Sequence, residues 1–159
     1  MPEVNEPAPP WLPLAQAGQA GQAGLRQGRP FVDTNVLLYL ISADTAKAER
    51  AEQILAGRIV ISVQVLNEFA NVARRKHSLD WDELAQVLAG IGSFCDVQDL
   101  TLAVHQRGLA LARRYQFSLY DAMIAAAALE AGCSSLLSED FQAGQRIAGQ
   151  LRVVNPFVD

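Results

Sequence analysis

Apolar residues from position 31 onward fall into short runs that alternate with longer segments, in which apolar positions recur at helical spacing. The short runs predict strands at residues 31–33, 59–62, 94–97, 135–138 and 151–154. The other segments predict helices at 35–41, 45–56, 64–76, 81–88, 101–115, 122–131 and 141–147. Alternating strands and helices are typical of an α/β fold with helices on both faces of a parallel sheet, here of about four to five strands.

Helix-capping residues stand at several of the predicted helix starts. Asp44 or Thr45 precedes the second helix, Asp80 precedes the fourth, and Ser118 with Asp121 forms a pattern like a capping box before the sixth. These local signals agree with the hydrophobic periodicity, which strengthens the α/β prediction.

Residues 1–29 follow a different pattern. Prolines stand at positions 2, 7, 9, 10 and 13, and the triplet Gln-Ala-Gly then runs three times from 16 to 24. Such a segment buries too little apolar surface to offset the entropy of ordering it. We therefore predict a flexible tail at 1–29 and one folded domain at 30–159, although Trp11, Leu12 and Leu14 have the chemistry to dock on a partner or on the domain.

The charge of the chain limits the classes of function. The net charge is −4, and the charges of Glu3, Glu6, Arg26 and Arg29 cancel within the first 29 residues, so the predicted domain carries all of it. This argues against a protein that holds nucleic acid on a broad basic surface. It leaves open an enzyme that concentrates carboxylates in one metal site.

The sequence predicts a cytoplasmic protein. Two cysteines are too few for a disulfide framework, and no apolar run reaches the length of a membrane span. A signal peptide begins with basic residues, whereas this chain has Glu3 and Glu6 there, so we do not expect a signal peptide.

Four acidic residues stand at junctions between predicted elements. Asp33 follows the first strand, Glu68 lies at the margin of a helix's apolar stripe, Asp121 is in the first turn of an alanine-rich helix, and Asp140 follows another strand. Because ligands of α/β folds bind at the carboxyl ends of parallel strands, we expect these acids to converge there.

Three of the four acids also have a structural interpretation. Asp33 can be a helix cap, Glu68 a surface residue, and Asp121 a partner of the helix dipole. Together, however, clustered carboxylates repel each other unless cations join them. Carboxylate oxygens suit Mg²⁺ or Mn²⁺, which activates water and neutralises the charge of a phosphodiester in its transition state.

The segments FVDTNVL at 31–37, VLNEF at 65–69, LYDAMIAA at 119–126 and LSED at 137–140 resemble those of the PIN-domain nucleases. The resemblance is strongest to the VapC-type toxins of bacterial toxin–antitoxin pairs, and it covers about residues 30–157.

The resemblance implies a Rossmann-like PIN fold and an endoribonuclease dependent on Mg²⁺ or Mn²⁺. In this activity, metal-activated water attacks an RNA phosphodiester in line. The resemblance also implies a homodimer and an antitoxin that inserts into the active-site groove. By position, it assigns Asp33 and Asp121 as central metal ligands, Glu68 and Asp140 as further ligands, and Thr34, Asn35 and Ser138 as supporting residues.

Two other interpretations remain open from the sequence. One is an RNA-processing PIN nuclease with housekeeping duties and no antitoxin. The other is an RNA-binding or scaffold protein whose acids do not catalyse, although the presence of all four acids disfavours it.

Overall fold

The computed structural model describes Arg26 and residues 28–158, and a single sheet of six strands lies at its centre. The strands are β1 (Pro30–Val32), β2 (Ile59–Ser62), β3 (Cys95–Gln98), β4 (Ser135–Leu137), β5 (Arg146–Ile147) and β6 (Leu151–Val154). The helices are α1 (Thr34–Leu38), α2 (Thr45–Leu55), α3 (Val63–Lys76), α4 (Trp81–Gly92), α5 (Leu102–Tyr115) and α6 (Leu119–Glu130). A 3₁₀ turn, Tyr39–Ile41, extends α1.

The strand order is β3-β2-β1-β4-β6-β5, and only β5 runs antiparallel to its neighbour. The predicted α/β fold with a largely parallel sheet is therefore confirmed, with one strand more than expected. Strand β1 lies between β2 and β4, so the chain builds the sheet first on one side of β1 and then on the other. This arrangement puts a topological switch point between β1 and β4, where α/β folds bind ligands.

The predicted helix at 141–147 is wrong. Arg146 and Ile147 form β5 instead, and the preceding residues pair with β6 through hydrogen bonds between Gly144 and Val153 and between Val153 and Gln145, each of 2.9 Å. Gly144 has φ +84°, a left-handed conformation that interrupts a helix. The sheet edge thus satisfies the backbone groups that a helix would have satisfied internally.

The helix starts follow the local sequence. Asp44, Asp80 and Ser118 each accept a hydrogen bond from the backbone N–H three residues ahead, and Asp80 forms a full capping box with Glu83. Helix α4 continues through Gly90 to Gly92, beyond its predicted end at 88. None of the described helices is long and apolar enough to cross a bilayer.

Helix α6 is enclosed by its neighbours. Eight of its twelve residues are buried, from Ala122 to Leu129. Alanine side chains let the helix axis approach its neighbours closely, and α5 meets α6 where Gly108 faces Met123. A Cβ at Gly108 would lie 2.7 Å from the Met123 sulfur, so the two helices are in direct contact there.

Part of the predicted tail contacts the domain. Arg26 donates to the Gln98 side chain at 2.7 Å and Gly28 N donates to Gly132 O at 3.0 Å. Arg29 forms an ion pair with Asp96. Ordered contacts thus begin before residue 30. Residues 1–25 and 27 lie outside the described residues, where the predicted flexibility of the tail stays a prediction.

Arg29 joins the starts of two strands, which gives a test of this N-terminal contact. Its guanidinium bonds the Asp96 carboxylate and the carbonyls of Arg58 and Ile59. We expect Arg29→Met to lower the free energy of unfolding by about 1–3 kcal/mol, because these acceptors lose a charged donor. Urea denaturation measures this, with the exposed Arg113→Met as the matched control. Equal stability of the two variants would show that the contact contributes nothing.

Candidate functional site

Asp33 and Ser138 meet where β1 and β4 end. The two strands pair in parallel with Val32 opposite Leu137, so the residues that follow them come side by side. The Asp33 N–H donates to the Leu137 carbonyl at 3.0 Å, and the Ser138 hydroxyl donates to Asp33 Oδ2 at 2.6 Å. The register of the central strands therefore creates this contact.

The Asp33 carboxylate is held by three donors. Oδ1 accepts from the Thr34 N–H at 2.6 Å, and Oδ2 accepts from Asn35 Nδ2 at 3.1 Å as well as from Ser138. Asp33 is the N-cap of α1, as the structural interpretation predicted. Yet Asp33 is only 2% exposed, and its second oxygen also accepts a hydrogen bond from Ser138, which lies outside the helix. A helix cap requires neither this degree of burial nor the additional hydrogen bonds to Oδ2.

Burial dominates the electrostatics of Asp33. Loss of hydration raises the pKa of this carboxyl from 3.8 to about 7, against the opposing effect of the hydrogen bonds from Ser138 and Thr34. The charges of Asp121 and Asp140 raise the pKa further. The fold therefore brings three of the predicted acids close enough for their charges to interact.

Asp121 is placed by the start of α6. The Ser118 hydroxyl accepts from the Asp121 N–H at 3.2 Å and sets the first turn of the helix. Burial raises the pKa of Asp121, hydrogen bonding by Ser118 lowers it, and the charge of Asp140 raises it. A carboxyl whose ionised form is disfavoured in this way gains from a nearby cation.

Glu68 is joined to the same edge through Thr34. The Thr34 hydroxyl donates to Glu68 Oε2 at 2.8 Å, while its backbone N–H bonds Asp33. Gln64, one helical turn before Glu68, donates to Oε1 at 3.4 Å. Sequence reasoning missed Gln64, although its four-residue spacing from Glu68 on an amphipathic helix is a usable signal.

Asp140 is positioned by the loop after β4. Its N–H donates to the Ser138 hydroxyl at 3.0 Å, and the Glu139 N–H donates to Asn35 Oδ1 at 3.1 Å. The Glu139 carboxylate instead pairs with Lys47 at 3.3 Å. Lys47 also donates to the Tyr39 hydroxyl at 2.9 Å, so a cation that sequence reasoning did not single out stands beside the loop.

The supporting residues predicted from the sequence connect three of the four acids: Thr34 joins Asp33 to Glu68, and Asn35 and Ser138 join Asp33 to the loop that carries Asp140. In the described part of the chain, no three His, Cys or acidic side chains form a closed metal cage as they stand. Asp33, Asp121 and Asp140 are electrostatic neighbours, and Glu68 is linked to Asp33 by hydrogen bonds through Thr34. Their oxygen donors are of the type that hard divalent cations prefer, so the chemistry of the donor set fits Mg²⁺ or Mn²⁺.

Residues 31–148 match the family model described as the PIN domain. Comparison with the curated proteins gives no match.

Several solved structures have a similar fold. A toxin–antitoxin complex from Klebsiella pneumoniae matches with TM-score 0.61 and 24% identity over 80% of this chain and 98% of that one. VapC20 of Mycobacterium tuberculosis, a sarcin–ricin-loop-cleaving toxin, matches with TM-score 0.58 and 21% identity over 70% and 91%. DNA-bound VapBC of Salmonella typhimurium matches with TM-score 0.60 and 23% identity over 80% and 97%. At such identities the likeness establishes the fold alone.

The raised pKa of Asp33 predicts how stability depends on pH without metal. Because the folded-state pKa lies above the unfolded value of 3.8, the folded protein holds an extra proton between the two values. The free energy of unfolding should therefore fall as pH rises from about 4 to about 7, by up to about 4 kcal/mol. Asp33→Asn should flatten this decline, measured by urea denaturation in EDTA. The exposed Asp82→Asn should keep the decline, and an unflattened profile for Asp33→Asn would contradict the assignment.

The hydroxyl of Ser138 should have its own measurable effect. Ser138→Ala removes the donor to Asp33 and the acceptor for the Asp140 N–H, so we expect a loss of about 1–3 kcal/mol of stability. It should also shift the titration of Asp33 to higher pH, because this hydrogen bond favours the ionised form. Side-chain NMR of labelled aspartate measures the shift. Ser138→Thr keeps a hydroxyl and serves as the control, and an unmoved Asp33 titration in the alanine variant would refute the role.

Proposed function

The chain belongs to the PIN-domain family, and from this premise we propose that it is a Mg²⁺- or Mn²⁺-dependent endoribonuclease that acts as the toxin of a toxin–antitoxin pair. The observation that carries the proposal is the buried Asp33 carboxylate, whose pKa is raised by burial and by the charges of Asp121 and Asp140. A buried carboxylate close to two other acids lowers the stability of the fold, so stability alone does not account for its presence. A cation between them would offset the repulsion.

In this proposal Asp33, Asp121, Glu68 and Asp140 provide the cation ligands. When bound there, a divalent cation lowers the pKa of water and neutralises charge on the phosphodiester. Ser138 and Asn35 hold the Asp33 oxygens in place, and Thr34 fixes Glu68 relative to Asp33. Such supporting hydrogen bonds keep ligands oriented before the substrate arrives.

The proposed reaction is an in-line displacement at phosphorus. The water oxygen forms a bond to phosphorus as the bond to the 3′ oxygen breaks, which leaves 5′-phosphate and 3′-hydroxyl ends. Glu68 orients the attacking water. The net charge of −4 means that RNA must be held by local contacts rather than by overall attraction.

The toxin role rests on fold likeness and on exposed apolar surface. The similar structures include a toxin–antitoxin complex and a VapBC assembly bound to DNA. Beside Asp121, the side chains of Leu102, Leu119 and Tyr120 are 71%, 46% and 62% exposed. Exposed apolar groups in one region are typical of protein interaction sites, which supports a homodimer and an antitoxin partner.

Asp33→Asn and Asp121→Asn test the nuclease proposal. Cleavage of total RNA in Mn²⁺ should fall by more than about a hundredfold, because loss of even an outer supporting group typically costs about 10–100-fold. Mn²⁺ affinity, measured by calorimetry, should fall with it. Asp82→Asn, an exposed acid on α4, is the matched control and should cleave like the parent.

The outcomes separate the alternative functions. Parent-like cleavage by both site variants would place the activity elsewhere. RNA binding without cleavage at any metal concentration would favour a non-catalytic RNA-binding protein. A third outcome is that cleavage needs these acids but no protein encoded by a neighbouring gene co-purifies from the native operon. That outcome would favour a housekeeping nuclease.

A further inference from the structure

An apolar groove lies on the side of the domain where α3 and α4 diverge. It has a volume of about 380 Å³, and Leu66, Ala70, Leu88 and Val97 contribute to its lining. Trp81, at the start of α4, also lines it and is 68% exposed. A groove with an exposed tryptophan at its rim is costly to leave in water and is typical of a binding site.

The N-terminal part of the chain enters the domain beside this groove. The Arg26 guanidinium donates to the Gln98 side chain at 2.7 Å and to the Val97 carbonyl at 3.3 Å. Val97 is itself a lining residue of the groove. Arg26, the first described residue, is therefore attached to the domain next to this groove.

We propose that residues 7–14 of the same chain, PAPPWLPL, bind in this groove, with Trp11, Leu12 and Leu14 as the apolar anchors. Their chemistry matches the lining. Four prolines restrict the unbound conformations of the segment, which reduces the entropy lost on binding, and proline-rich segments characteristically bind aromatic-lined grooves. The lining residues of the groove are distinct from the acidic edge, which consists of Asp33, Glu68, Asp121 and Asp140, and the inference does not depend on the nuclease proposal.

The length of the connection allows this intramolecular contact. Residues 15–25 join Leu14 to Arg26, and they consist largely of the Gln-Ala-Gly repeat. A flexible chain of this length spans roughly 17–20 Å on average and at most roughly 40 Å. A tether of this kind gives an effective concentration of about 1 mM, so even an intrinsic Kd of about 0.1 mM keeps the segment bound about ten times as often as free.

Charge complementarity favours the same occupant. Arg74 stacks on Trp81, with its guanidinium carbon 4.1 Å from the ring centroid, and Arg75 and Lys76 follow in the last turn of α3. Glu3 and Glu6 stand just before this segment, and positions 1–14 contain no Lys or Arg. Asp99 is the charged residue of the lining itself, so the acidic start of the chain is suited to the Arg74 side of the groove, beside Trp81.

The chain contains two tryptophans, Trp11 and Trp81, which gives a direct test. In full-length Trp81→Phe protein, Trp11 is the sole tryptophan, and phenylalanine preserves an aromatic ring at the rim. We expect Trp11 emission at shorter wavelength than a free tryptophan analogue and reduced quenching by acrylamide. Both should be independent of protein concentration. Burial that is lost on dilution would overturn the proposal in favour of binding to a second copy of the chain.

Two further changes in the same background locate the binding site. Ala85→Arg puts a charge in the groove and should shift Trp11 emission to longer wavelength, whereas Ala110→Arg on the exposed face of α5 should not. Leu12→Asp with Leu14→Asp should produce the same shift while leaving every described residue unchanged, so it remains informative if Ala85→Arg unfolds the domain. Trp11 emission like that of the free analogue in the Trp81→Phe parent, or unmoved by both groove and segment changes, would refute the proposal.

Discussion

The hydrogen bond between Ser138 and Asp33 is the contact on which the acidic edge depends. It joins the residues that follow two neighbouring parallel strands, and it exists only when β1 and β4 pair in the observed register. A shift of one residue would turn Asp33 toward the opposite face of the sheet. The apolar faces of Phe31 and Leu136 specify that register, since both are fully buried. Core packing therefore determines where the carboxylate stands.

The acidic edge combines strong local support with unfavourable charge. Donors from Thr34, Asn35 and Ser138 replace part of the water that Asp33 loses on burial, yet its pKa still rises because desolvation is the larger effect. Neutral donors can orient a carboxylate without cancelling its charge. The edge thus remains suited to a cation, and for this reason the proposed function assigns the chemistry to these carboxylates rather than to a histidine or a cysteine. Asp33 therefore has two roles: it caps α1 through Oδ1, and its carboxylate interacts with Ser138, Asp121 and Asp140 outside that helix.

Helix α6 shows how packing serves the edge. Its small alanine side chains let neighbouring elements pack closely around the helix, so residues 122–129 are all buried. The first turn of the helix consequently lies close enough to the sheet for the charge of Asp121 to interact with Asp33 and Asp140. Larger side chains would hold the helix further from the sheet. Another part of the surface is less completely covered, because Trp81 and its neighbours leave a groove between α3 and α4. The acidic edge thus brings charged groups together, whereas the groove is open and mainly apolar.

The sequence alone determined the alternation of strands and helices, the helix caps and the order of the four acids, because these depend on residue period and on partners within a turn. It also predicted Thr34, Asn35 and Ser138 as supporting residues, by family resemblance, although their function stays a prediction. Only the tertiary structure showed that residues 146–147 form strand β5, that Gln64 donates to Glu68, and that Arg26 and Arg29 contact the domain. The Thr34–Glu68 and Ser138–Asp33 bonds join residues 34 and 105 positions apart. Such partners depend on the path of the chain through the sheet, which no local pattern encodes.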